Sequence, residues 1–268
     1  MRGLEFRPAL NGALYWYKLL RYTNYSQHAQ KDLLVPLTRI TFTGIDEHCP
    51  IEQLLELARM EPRLEFGILY QGDSQPSRPR YPDPFWLTQT AMRLYGAGVA
   101  LALHVCKDSV LNGIRFKEIL PARSFFGRIQ LNKRIPDEHL KDLSEFIGWV
   151  DPVKVITQEP VNPALHLRIS FANHQILFDA SGGRGVLPER WPEPIEGHEC
   201  GYAGGLGPER ITEALPHIFA AAGPRSFWID METGLRDEHD AFSIEKAQKT
   251  LRLIAKAERS INPGTSVS

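Results

Sequence analysis

From about residue 35 onward, short β-branched or aromatic runs alternate with longer amphipathic or polar segments, and this pattern predicts strands separated by helices. Eight strands are expected, at 39–43, 64–70, 99–106, 127–131, 153–157, 174–179, 199–203 and 227–231. Between them, apolar positions recur at helical spacing. Ile51, Leu54, Leu55 and Ala58 mark one helix, and Phe85, Thr88, Ala91, Met92 and Tyr95 a second. Ile211, Ala214, Leu215 and Ile218 mark a third, opened by Pro208 and Glu209, residue types that suit a helix start. A last helix, 243–257, gathers Ile244, Ala247, Leu251 and Ile254 on one face and basic residues on the other. Eight strands, each followed by a crossover, is the count of an α/β chain closed into a (β/α)8 TIM barrel. A doubly wound open sheet shares the local pattern, but its G-x-G-x-x-G turn is missing: TFTGIDEH offers only Gly44. The expected organisation is an N-terminal extension over 1–32, disordered or helical, followed by one barrel domain over 33–268.

Three of the apolar runs open onto glycine-rich turns: HQILFDASGGRG, HECGYAGGLGPE and RSFWIDMETGLRDE. A strand that ends in a loop stripped of side chains presents consecutive backbone N–H groups, which is how an anion such as phosphate is held. Strand termination and helix capping are the structural alternative for any one of these glycines. Composition narrows the partners. The 268 residues are 43% hydrophobic and 24% charged with a formal net charge of −1, which gives an ordinary globular core and no electrostatic footprint for nucleic acid. Cys49, Cys106 and Cys200 lie far apart without C-x-x-C or C-x-x-H spacing, so neither a disulfide framework nor a zinc site is expected. The apolar stretch ALNGALYWYKLL is interrupted by Asn11, Gly12 and Lys18, so no membrane association is expected, and the location inferred is cytoplasmic. No cofactor is called for either: there is no G-x-x-x-x-G-K-[ST] loop, metal-ligand cluster or serine elbow.

The late motifs carry a resemblance. YAGGLGPERI resembles the A-G-G-L-x-P-E-N-V run of phosphoribosylanthranilate isomerase. WIDMETGLRDEHDAFSIEKAQ resembles its V-D-V-S-S-G-V-E strand and following helix, and ILFDASGGRGVLPERW its L-L-L-D-x, then G-G-T-G-K-x-F-D-W. Earlier, TFTGIDE is similar to K-I-C-G-I-T, GRIQLN to V-Q-L-H-G, and SRPRYP to S-P-R-x-V. The resemblance implies a ribulose-phosphate-binding barrel whose ligand is a phosphorylated sugar or phosphoribosyl conjugate. It implies that amides at Gly204, Gly205, Thr233 and Gly234 hold the phosphate, beside the SGGRG turn with Gly183 and Arg184. It also implies an Amadori-type aldose–ketose isomerisation, with Asp179 at the position of the general acid. Arg78, Arg80 and Arg184 are candidates for gripping a second anionic group.

The chain departs from that family at the base. Thr43 stands where K-I-C-G carries its catalytic cysteine, and a hydroxyl is scarcely ionised at neutral pH. Strand alternation puts His104 and Cys106 on one face of ALHVCKD, which makes them alternative bases or else a buried core pair. Asp46 and Glu47, just beyond Thr43, are further carboxylate candidates. Gln130 and Asn132 flank the end of the fourth strand and Gln158 ends the fifth, positions from which a barrel offers polar groups to a sugar or to its own loops. Two functions follow: a sugar-phosphate isomerase of altered substrate or mechanism, or a catalytically inactive barrel that binds a phosphorylated metabolite or a protein partner.

Overall fold

Eight parallel strands close on themselves in chain order, each hydrogen-bonded to the next and β1 to β8, in a computed structural model that describes residues 37–72, 80–117, 121–179 and 186–261. The strands are β1 Leu37–Thr43, β2 Leu64–Tyr70, β3 Ala100–Cys106, β4 Arg128–Asn132, β5 Lys154–Glu159, β6 His174–Asp179, β7 Cys200–Ala203 and β8 Phe227–Met231. Six α-helices accompany them among the described residues: α1 Ile51–Met60, α2 Pro84–Gly96, α3 Asp108–Phe116, α4 Leu140–Val150, α5 Ile211–Ala222 and α6 Ile244–Ile261. The fold is a (β/α)8 TIM barrel, as the strand count predicts. Contacts divide the chain into Met1–Val35 and Pro36–Ser268. The first unit, and with it the expected extension over 1–32, lies outside the described residues.

Both faces of every strand are buried, because the ring has an inside and a coat of helices. Alternation therefore sorts each strand into an inward and an outward set. The outward set is mostly apolar: Ile40, Phe42, Phe66, Ile68, Leu103 and Ile229 are fully buried against the helical layer. The inward set is layered. At the N-terminal end of the ring, Glu65 accepts two bonds from Arg128 Nε at 3.0 Å and one from Thr41 Oγ1 at 3.0 Å. The Arg128 guanidinium lies over the Trp228 ring, 4.7 Å from its centroid. Ile156, Leu177, Ala203 and Trp228 form an apolar layer above it. Gly201 is required beside that layer, since a Cβ there would sit 2.1 Å from Trp228 Cε2.

Helix boundaries follow local chemistry. Asp83 caps α2 by accepting from Phe85 N and Trp86 N at 2.8 and 3.3 Å, with Pro84 in the first turn. Ser243 Oγ accepts from Lys246 N at 3.2 Å at the start of α6. The predicted face of α2 needs correction. The helix buries Leu87, Thr90, Ala91 and Leu94, and leaves Phe85, Met92 and Tyr95 exposed at 73%, 47% and 56%. Two apolar stripes share this helix, and the one bearing both leucines packs on the barrel. The α5 face is as expected, with Ile211, Ala214, Leu215 and Ile218 all buried, although Pro208 and Glu209 precede the helix rather than begin it. The crossover from β5 to β6 holds only a short 3-10 turn, Leu165–Leu167. Residues 186–199, before β7, form no helix. There a proline-rich strap covers the barrel, Trp191 meeting the Tyr202 ring edge-on at 5.9 Å and Tyr202 Oη donating to Pro192 O at 2.9 Å.

Candidate functional site

A cavity of about 260 Å³ opens at the C-terminal ends of the strands. Its wall on the β7 and β8 side is built from Gly204 and Gly205, and from Thr233 and Gly234. Gly204 and Gly205 have φ of 109° and 65°, conformations that side chains resist. The two turns also pack backbone to backbone: a Cβ on Gly234 would lie 2.2 Å from Leu206 O and 2.9 Å from Gly207 Cα. Close approach therefore accounts for Gly234 in part, whereas the paired positive φ angles at Gly204 and Gly205 belong to the cavity wall.

Asp179, Gln158, Asn132, His104, Cys106 and Arg80 line the same cavity. Asp179 ends β6 and is 4% exposed. Thr43 lies below, its Oγ1 donating to Asp230 Oδ1 at 2.6 Å. Arg78 and the turn bearing Gly183 and Arg184 fall outside the described residues.

The surroundings of the two alternative bases keep both uncharged at neutral pH. Burial pushes the His104 pKa down to about 3. Its Nδ1 faces Gln130 Nε2 at 3.2 Å, while Nε2, fully buried, has no hydrogen-bond partner among the described residues. Burial pushes the Cys106 thiol up to about 12, although Asn132 Nδ2 donates to its sulfur at 3.5 Å. Gln130 Nε2 in turn donates to Asn132 Oδ1 at 2.9 Å, so the four side chains form one polar network on the β3–β4 wall. Asp46 and Glu47 are bound elsewhere. Asp46 accepts from Arg236 Nη2 at 3.0 Å and Phe242 N at 2.8 Å, and Glu47 from Asp83 N at 2.6 Å. Arg80, expected to face a ligand anion, is held by Glu232 through Nη1 at 2.8 Å and by Asp240 through Nε at 3.0 Å.

Asp230 and Glu232 are cavity carboxylates that the sequence pattern did not single out. Burial raises the pKa of both, Asp230 to about 7. The signal that would have found them is alternation in WIDME, which places Trp228, Asp230 and Glu232 on one side of β8. Lys107 and Tyr81 also border the cavity, the ammonium 5.3 Å from the Tyr81 ring centroid. Among the described residues no group of three or more His, Cys, Asp or Glu side chains is placed to hold a metal ion, and no helix is long and apolar enough to cross a membrane.

Fold and cavity define a closed parallel barrel with a glycine-walled, carboxylate-bearing mouth. No protein-family model matches the chain. No curated protein matches it either. Solved structures do. Phosphoribosyl anthranilate isomerase from Thermus thermophilus is 20% identical, with 81% of this chain and 98% of that one covered and a TM-score of 0.57. The enzyme from Thermotoga maritima is 18% identical, covering 82% and 100%, with a TM-score of 0.54. TrpF from Jonesia denitrificans is 14% identical, covering 82% and 98%, with a TM-score of 0.55. The chain thus has the barrel fold of phosphoribosylanthranilate isomerase.

Proposed function

We propose that this barrel binds a phosphorylated sugar or phosphoribosyl conjugate, with its phosphate on the amides of Gly204, Gly205, Thr233 and Gly234, and isomerises it with Asp179 as the acid. One observation carries the reading: a single cavity is lined by the positive-φ glycines after β7, the turn after β8 and the carboxyl at the end of β6. Backbone amides at strand ends suit an anion, and a carboxyl at the end of the neighbouring strand, in register with Ala203, suits proton delivery to a sugar ring oxygen. A solved phosphoribosyl anthranilate isomerase, 17% identical with a TM-score of 0.53, is in complex with reduced 1-(o-carboxyphenylamino)-1-deoxyribulose 5-phosphate, a ligand of this chemistry. Gln158 and Asn132, which line the same cavity from β5 and β4, are assigned in this reading to the sugar hydroxyls.

Inorganic phosphate tests the binding half. A ligand at one hundred times its Kd stabilises the folded state by about 2.7 kcal/mol, so phosphate is expected to raise the thermal midpoint of the wild type. Gly205→Asp sets a carboxylate among the amides and is expected to remove that rise. An equal rise in both proteins refutes the phosphate site. Turnover of a 5-phosphoribosyl arylamine, lost in Asp179→Asn, tests the catalytic half. Phosphate binding without turnover would leave the barrel as a binding protein.

A further inference from the structure

Asp230 is a cavity carboxylate engaged by a hydroxyl. It lies on β8 in register with Thr41, is 6% exposed, and accepts the Thr43 hydroxyl at 2.6 Å. Glu232, two residues on, is neutralised by Arg80 instead. Thr43 itself is aimed into the ring: a Cβ on Gly67 would fall 2.5 Å from Thr43 Oγ1 and 2.9 Å from His104 Nε2, so Gly67 keeps the space between them open. With Cys106 and His104 both held uncharged, Asp230 offers a carboxyl whose charge can change near neutrality.

We propose that Asp230 is the base of the isomerisation and that Thr43 is its positioning residue, so that the threonine does not replace a thiolate but orients the carboxylate that does. The inference rests on the isomerase reading above. Burial raises the Asp230 pKa to about 7, against the lowering effect of the Thr43 bond, and nearby Glu232 and Asp179 add to the rise. A base works best when its pKa lies near the working pH, where enough of it is ionised and its conjugate acid still gives the proton back.

The steps balance without an outside reagent. Asp179 protonates the furanose ring oxygen as the C1–O bond breaks and the nitrogen lone pair forms a C1=N iminium. Asp230 removes the proton from C2; the C–H electrons form C1=C2 and the C=N electrons return to nitrogen. The enaminol then takes the Asp230 proton at C1, while its C2 hydroxyl proton returns to Asp179. A 1-amino-1-deoxyketose results, and both carboxyls are restored.

The test uses the full chain and a 5-phosphoribosyl arylamine. Asp230→Asn is expected to lower kcat by about 10²- to 10⁴-fold while keeping the phosphate-induced midpoint rise. Wild-type kcat/KM should fall about tenfold per pH unit below pH 7. Thr43→Val, by removing the bond that favours the carboxylate, should move that limb to higher pH, and Thr43→Ser should restore it. A carboxyl infrared band titrating near pH 7, absent in Asp230→Asn and shifted upward in Thr43→Val, reads the same group without turnover. If the wild type turns over the amine and Asp230→Asn does so equally, Asp230 is not the base. If the Thr43→Val limb does not move, Thr43 does not position it. If the wild type binds phosphate but never turns over the amine, the isomerase reading fails and the base falls with it.

Discussion

His174 makes the stability of this barrel depend on pH, and its contribution can be worked out in advance. The side chain starts β6 on the outer wall, with Nε2 2.9 Å from Thr157 Oγ1 and a buried Nδ1 that has no hydrogen-bond partner among the described residues. The His198 ring stands edge-on to it at 5.5 Å and edge-on to His166 at 5.7 Å, and His166 Nδ1 is 3.6 Å from Glu159 Oε1. Burial, reinforced by the charges that His198 and His166 can acquire, lowers the His174 pKa from 6.5 to about 4. An unfolded chain protonates this histidine as pH falls through 6.5, whereas the folded chain does so only near 4. Between those values the unfolded state binds more protons, so stability is lost on acidification and is whole above 6.5. At about 1.4 kcal/mol per pKa unit, the loss approaches about 3.4 kcal/mol in full and reaches about 2 kcal/mol by pH 5. His174→Gln removes the titrating ring and retains a polar group beside Thr157. Urea unfolding at pH 7.5 and 5.0 should show the wild type losing about 2 kcal/mol more than the variant. His104 and the carboxylates are common to both proteins and cancel in the difference. Equal losses would show that the His174 site admits a proton as readily folded as unfolded, which refutes the burial argument.

Two further substitutions probe the barrel interior. Gly201→Ala places a methyl group 2.1 Å from Trp228 Cε2, and the indole, fully buried under the Arg128 guanidinium, has nowhere to retreat. A loss of about 1–3 kcal/mol or more is expected in chemical denaturation, and an unchanged midpoint would contradict the packing described. Glu65→Leu strands Arg128 in the ring without its carboxylate, since Arg39 and Arg128 both pair with Glu65. A loss of about 3–5 kcal/mol is expected, and full stability in that variant would show that solvent reaches the guanidinium.

The strands were legible because each is a short apolar run punctuated by polar or glycine-bearing segments. The spans 64–70, 174–179 and 227–231 coincide with β2, β6 and β8. What a strand buried on both faces hides is which residues turn inward. Glu65 and Arg128 sit in the sequence among apolar neighbours with nothing to say that they meet across the ring. Charge pairing over long separations is equally silent: Arg80 reads as a free loop cation until Asp240 and Glu232, more than 150 residues away, come to hold it. Residues 186–199 depart from helix for a related reason, because Trp191 and the prolines of the strap cover the barrel with side chains where a helix would use a stripe.

At the site, the glycine turns after β7 and β8 stood out because a backbone requirement leaves its mark on residue type, whereas Asp230 did not, because its role depends on what surrounds it. Its surroundings are set by the layer beneath. Ile156, Leu177, Ala203 and Trp228 stand between the Glu65–Arg128 pair and the cavity floor. Arg128 acts on Asp230 across that layer, and its pull on the carboxylate is weaker than the opposing effect of burial. An ionised network at one end of the barrel is thus kept from holding the carboxyl at the other end fully charged. On this reasoning the apolar layer serves the chemistry as well as the packing: a polar residue in place of Leu177 would admit water beneath Asp230, lower its pKa toward the usual carboxylate range, and move the acid limb of turnover down with it.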